Sequence, residues 1–139
     1  MGTPLETLYN RFQTKVDEDL TGKESLIFAL VDVAISKSYK NCNHDLTYAL
    51  TDSDAETQTY DGSFDETLDN DEIELLALWM LYEWNRREQQ RLIKLKDDIG
   101  TSDFNKLPNK VDKLKIVNST MRLIMEDIND LKNDMNSYA

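Results

Sequence analysis

The sequence predicts a mainly α fold: a four-helix assembly with two shorter N-terminal helices, two long C-terminal helices, and an acidic loop and β-hairpin inserted between the second and third. Three observations carry this expectation. Apolar residues recur at steps of three and four in four separate stretches, the spacing that gathers side chains on one face of a helix. Turn-making residues are scarce, with 4 Gly and 2 Pro in 139 residues, so the chain has few corners. Across residues 41–68 the helical period stops, and Leu46, Tyr48 and Leu50 alternate with Thr47, Ala49 and Thr51 as a strand would.

The first helix is expected to start at Thr3-Pro4-Leu5-Glu6, with Thr as N-cap, Pro in the first turn and Glu three positions on. Leu5, Leu8, Tyr9, Phe12 and Val16 then make its apolar stripe. A second capping pattern, Thr21-Gly22-Lys23-Glu24, opens a helix that is apolar on nearly every side and is therefore expected at the centre. Asp32 interrupts it and reads as a partly exposed or paired carboxylate. Tyr60-Asp61-Gly62-Ser63 has the residues of a hairpin turn.

Asp69-Asn70-Asp71-Glu72 places acids at the start of the third helix, where its dipole is positive, and Gly100 is positioned to end it. Its first half is greasy, with Trp79, Met80 and Trp84. Its second half carries Arg86, Arg87, Arg91, Lys94 and Lys96 above a thin stripe of Leu92, Leu95 and Ile99. Residues 101–109 read as a connector. The last helix, 110–138, repeats Leu114, Val117, Met121, Ile124, Ile128, Leu131, Met135 and Tyr138 at a period of 3.5, the seam of a bundle or coiled coil. Packing against the third helix and packing against another subunit are both open for Ile128 and Met135.

The net charge of −11 is localised. Residues 41–85 hold no Lys or Arg and carry −12, so the remainder is close to neutral at +1. Such a surface repels phosphates and attracts basic partners. The longest apolar run, 75–82, falls far short of the roughly 20 residues of a membrane span. Nothing at the start reads as a signal peptide, and Glu6 stands where a myristoylation motif wants Ser or Thr. Cys42 is the only cysteine, so no internal disulfide forms, in keeping with a reducing compartment.

Chemical motifs are sparse. Asp52-Ser53-Asp54 begins like a calcium loop, but Thr57 replaces the turn glycine and Ser63 the bidentate glutamate. Cys42 and His44 supply two soft ligands where a zinc site wants four. With no phosphate loop and one histidine, no catalytic, cofactor or metal residue is assigned, and the expectation is a non-enzymatic protein. The candidate contact residues are instead Arg86, Arg87 and Arg91 on the basic half-helix, Asp52, Asp54 and Asp61 in the acidic stretch, and Ile128 and Met135 on the seam. Separate acidic and basic stretches on one chain permit head-to-tail association, which makes rings when it closes.

Three segments carry a family resemblance: Leu8-Tyr9-Asn10-Arg11-Phe12, then Ala29-Leu30-Val31-Asp32-Val33-Ala34-Ile35, then Glu74-Leu75-Leu76-Ala77-Leu78-Trp79-Met80-Leu81-Tyr82-Glu83-Trp84. In this order they resemble the head–tail connector, or head-completion, proteins of tailed phages. The resemblance implies a virion protein that forms an oligomeric ring, most often a dodecamer. Such a ring contacts the portal protein above and tail or stopper proteins below, and DNA passes through its lumen without specific binding. It brings no catalytic residues, and residues 41–68 have no counterpart in it. The alternative from charge alone is an acidic DNA mimic or adaptor that occupies a basic partner. That reading wants carboxylates on a rigid surface, whereas here they cluster in a loop-rich stretch.

Overall fold

The computed structural model describes residues 2–16, 18, 23–50 and 62–137. Among these residues, five helices and one hairpin follow in order: α1 (Leu5–Gln13), α2 (Glu24–Ser38), β1 (Tyr48–Leu50), β2 (Gly62–Phe64), α3 (Asn70–Ile99), α4 (Thr101–Asn105) and α5 (Pro108–Ser137). The expected class is therefore observed, with two short helices first, two long ones last and a hairpin between.

The organising element is α3, which packs against α1, α2, α4 and α5. This corrects the expectation that the all-round greasy α2 is central. Ile27, Leu30, Val31 and Ala34 of α2 are buried, while Ala29 and Asp32 face outward. The α3 run 75–80 is buried at every position, because helices cover it on several sides. Asp32 is exposed and accepts a hydrogen bond from the Tyr48 hydroxyl at 2.7 Å, which fastens α2 to the hairpin. Burial and this bond to Asp32 push the Tyr48 hydroxyl up to about 12.

Helix starts depart from the sequence reading in two places. Pro4, not Thr3, is the N-cap of α1. Thr3 is drawn away because its main chain pairs with Phe64 and Glu66, and its buried hydroxyl accepts the Leu68 N–H at 2.8 Å. Gly2 runs so close to this strand that an added Cβ would lie 1.5 Å from the Phe64 carbonyl oxygen. For α2 the cap position is Lys23, without a side-chain cap bond; Thr21 and Gly22 lie outside the described residues. Replacing Thr3 with Val is expected to destabilise the fold by about 1–3 kcal/mol, since the buried Leu68 N–H loses its acceptor at nearly constant volume. Urea denaturation followed by circular dichroism measures this, and an unchanged midpoint would refute it.

β1 and β2 pair antiparallel, with Tyr48 opposite Phe64 and Leu50 opposite Gly62. Gly62 and Ser63 are thus strand residues, not the turn that Asp61-Gly62 suggested. Two contacts hold them in the ladder: Pro4 bridges Ser63, and the buried Phe64 ring meets Tyr48 edge-on at 5.9 Å. The connection itself falls within 51–61, outside the described residues.

Between the long helices, Gly100 takes φ +88°, a conformation costly for other residues. The expected connector then forms the short helix α4, because folding it inward buries Phe104. α5 begins at Pro108, two residues earlier than the periodicity suggested, with proline in its favoured first-turn position. It returns antiparallel along α3: Gln89 donates to Asn118 at 2.7 Å, and Lys132 lies over the Trp79 ring at 5.2 Å. From Leu114 to Met135 the seam packs within the chain, and Tyr138 lies outside the described residues. Val117 and Met121 pack with Leu92, while Ile124 and Ile128 join the main core.

Candidate functional site

Trp84, Arg87, Glu88 and Arg91 stand three and four positions apart on α3 and so share one face. The α1 side of the core positions the indole, with Phe12 edge-on to Trp84 at 6.0 Å. Because α5 runs antiparallel to α3, it brings Lys113 and Val117 opposite this face, and the start of α2 adds Lys23 and Leu26. Together with Glu18 and Asn85, these residues line a cleft of about 400 Å³. That volume lies within the usual range of binding cavities, roughly 300–1,000 Å³.

Among the described residues that line the cleft, four are cations and two are acids. Lys113 donates to Glu88 at 2.6 Å, and Arg91 lies 3.7 Å from the other oxygen of the same carboxylate. The Lys113 hydrogen bond, then the charges of Lys113, Arg91 and Lys110, hold Glu88 below its ordinary range against the opposing effect of burial. Lys23 is shared between Glu18 at 3.3 Å and the Trp84 face at 5.4 Å. Arg87 is exposed and has no hydrogen bond or ion pair among the described residues. The cleft thus offers an aromatic and aliphatic floor, guanidinium groups at the rim and, among the described residues, more cations than acids on a protein of net −11.

Arg87 and Arg91 are brought together here, as the basic half-helix suggested. Arg86 is not: it turns off the cleft and lies 3.6 Å from Glu83. Lys23 and Lys113 were missed by sequence reasoning. No local pattern marks them, since only the antiparallel return of α5 and the approach of α2 place them beside Arg87. Asp52, Asp54 and Asp61 lie outside the described residues. Ile128 is fully buried in the chain's own core, the first of the two packings open to it, and Met135 is half-buried against that core.

A second cluster joins Cys42, His44, Asp69 and Glu72 at the start of α3. Donor atoms of His44, Asp69 and Glu72 lie within 4.8 Å of one another. Glu72 is 1% exposed, and its oxygens are already engaged: they accept the Asp69 N–H at 2.8 Å, the His44 N–H at 3.1 Å and the His44 Nδ1–H at 2.6 Å. Burial, then the Glu72 charge, pushes the neighbouring Cys42 thiol up to about 12, so it is protonated and inert at neutral pH. This arrangement works as a staple, closing residues 42–45 onto the helix that presents the cleft.

Comparison of the chain with protein-family models, curated proteins and solved structures finds no significant match. No helix among the described residues is long and apolar enough to cross a membrane.

Proposed function

We propose that this chain is a non-catalytic structural subunit of a tailed-phage neck, assembling head to tail into a ring between portal and tail around the DNA exit channel. The resemblance of its helical segments to head–tail connector proteins supports the setting. The observation that carries the assembly is the separation of charge. Residues 41–85 hold acids without a single Lys or Arg, whereas four cations converge on one cleft. Acids and cations set apart along the chain in this way would supply the two different surfaces that a head-to-tail contact requires. Acidic groups left toward the lumen would let DNA phosphates pass without binding.

Assembly is expected to rise with protein concentration and to weaken about tenfold or more between 0.1 M and 1 M salt, as the screening length falls from about 10 Å to about 3 Å. Sedimentation velocity of the purified chain, with and without a portal ring, reads this directly. A protein that stays monomeric at every concentration and is missing from purified virions would overturn the proposal.

A further inference from the structure

We infer that the cleft of Lys23, Trp84, Arg87, Arg91 and Lys113 is a socket for the acidic 51–61 segment of a second copy of this chain. The inference rests on the assembly reading above and names its contact.

Charge complementarity selects this occupant. Residues 51–61 carry Asp52, Asp54, Glu56 and Asp61 and no cation, the opposite of a cleft whose described lining holds four cations and two acids. The same segment contains Tyr60, whose ring suits a floor made by Trp84, Leu26 and Val117. Within the socket, Arg87 has no partner among the described residues and Arg91 reaches Glu88 only at 3.7 Å, so both guanidinium groups have donors to give. Each presents a planar fork that matches a carboxylate. Lys113 and Lys23 are committed to Glu88 and Glu18 and set the local field instead of serving as primary donors.

Reach is sufficient. The β1–β2 ladder holds both ends of the segment, at Leu50 and Gly62. Eleven residues have a contour of at most about 40 Å, so out and back they extend up to about 20 Å from the hairpin. That is enough to enter a depression on a neighbouring molecule. Donor segment and socket are different parts of the chain, so every subunit can give one and receive one.

The test uses two full-length variants, Arg87→Glu/Arg91→Glu and Asp52→Lys/Asp54→Lys/Asp61→Lys, alone and mixed, in sedimentation velocity at low salt. Alone, each variant carries like charge on socket and segment, and self-association is expected to weaken roughly tenfold or more. Mixed in equal amounts, each variant supplies what the other lacks, and co-assembly is expected to return. Circular dichroism is expected to be unchanged, because Arg87 and Arg91 are exposed. Wild-type assembly with variants that associate equally well would overturn the socket and leave the neck reading standing. Loss of assembly that mixing does not restore would show that the segment is not the occupant in trans, and would overturn the socket as well. A wild type that never associates would overturn both.

Discussion

Replacing Ile128 with Asp is expected to unfold the chain, lowering stability by more than about 4 kcal/mol and removing most of its helical signal at ambient temperature. Ile128 is 0% exposed and belongs to the main core, in the stretch where α5 lies along α3. The substitution forfeits the burial of a large aliphatic side chain, about 1.5–3 kcal/mol, and places a carboxylate at a position closed to solvent in an apolar core. A domain holds only about 5–15 kcal/mol in reserve, so the two effects together consume much of it. Two graded controls locate the cause. Ile128→Val removes one methylene and is expected to cost about 0.5–1.5 kcal/mol with a cooperative transition retained. Leu123→Asp, at a position 54% exposed on the outer side of the same helix, is expected to stay within about 0.5 kcal/mol of wild type. Urea titrations followed by circular dichroism and tryptophan fluorescence measure all three. An Ile128→Asp protein that keeps its helicity and its midpoint would contradict the packing of α5 described above.

The helices were legible because burial on one side imposes a period, and Leu114 to Ile128 or Leu5 to Phe12 show that period without reference to anything distant. Caps were legible only where the polar side chain had no competing partner. Asp69 and Glu72 begin α3 as their spacing suggests, whereas the Thr3 hydroxyl, equally suited to α1, is taken by the Leu68 N–H of another segment. Centrality was misjudged for a related reason. An apolar circumference identifies a helix with little exposed polar surface, but α3 is central because its length lets four helices share it. Of the cleft, Arg87 and Arg91 could be read from one helix face. Lys23 and Lys113 could not, since 90 residues of sequence separate two groups that face one cavity. Asp61-Gly62 pointed to a turn on local chemistry, and the tertiary bridge from Pro4 to Ser63 outweighs that preference.

Glu72→Gln is expected to destabilise the chain by about 2–3 kcal/mol near pH 5.5 and to remove a pH dependence that the wild type shows on both sides of that value. Glu72 is nearly fully buried, and burial alone would raise its pKa. The Asp69 N–H, the His44 ring and the His44 N–H outweigh that effect and hold the carboxyl below its ordinary 4.5. Stabilisation from a depressed carboxyl is present above 4.5 and is lost as the pH falls through the lower folded value. His44 runs the other way. Its hydrogen bond to Glu72, then the Glu72 charge, raises it above 6.5 against the opposing effect of burial, with lesser help from Asp69 and Glu66. Its contribution is complete below 6.5 and is lost as the pH rises through the higher folded value. The staple is therefore strongest between about pH 4.5 and 6.5 and loosens at either extreme. A neutral amide at position 72 keeps the size of the side chain but cannot accept all three N–H groups as a carboxylate does, and it gives His44 no charge to pair with. The difference in stability between wild type and Glu72→Gln, measured by thermal melts from acid to alkaline pH, should peak inside that window and shrink outside it. His44→Ala should flatten only the alkaline slope and keep the acidic one, because the Asp69 N–H and the main-chain N–H of residue 44 still hold the carboxylate ionised. A difference that stays constant with pH would mean that Glu72 acts by size alone, and the hydrogen-bonded staple at the start of α3 would have to be given up.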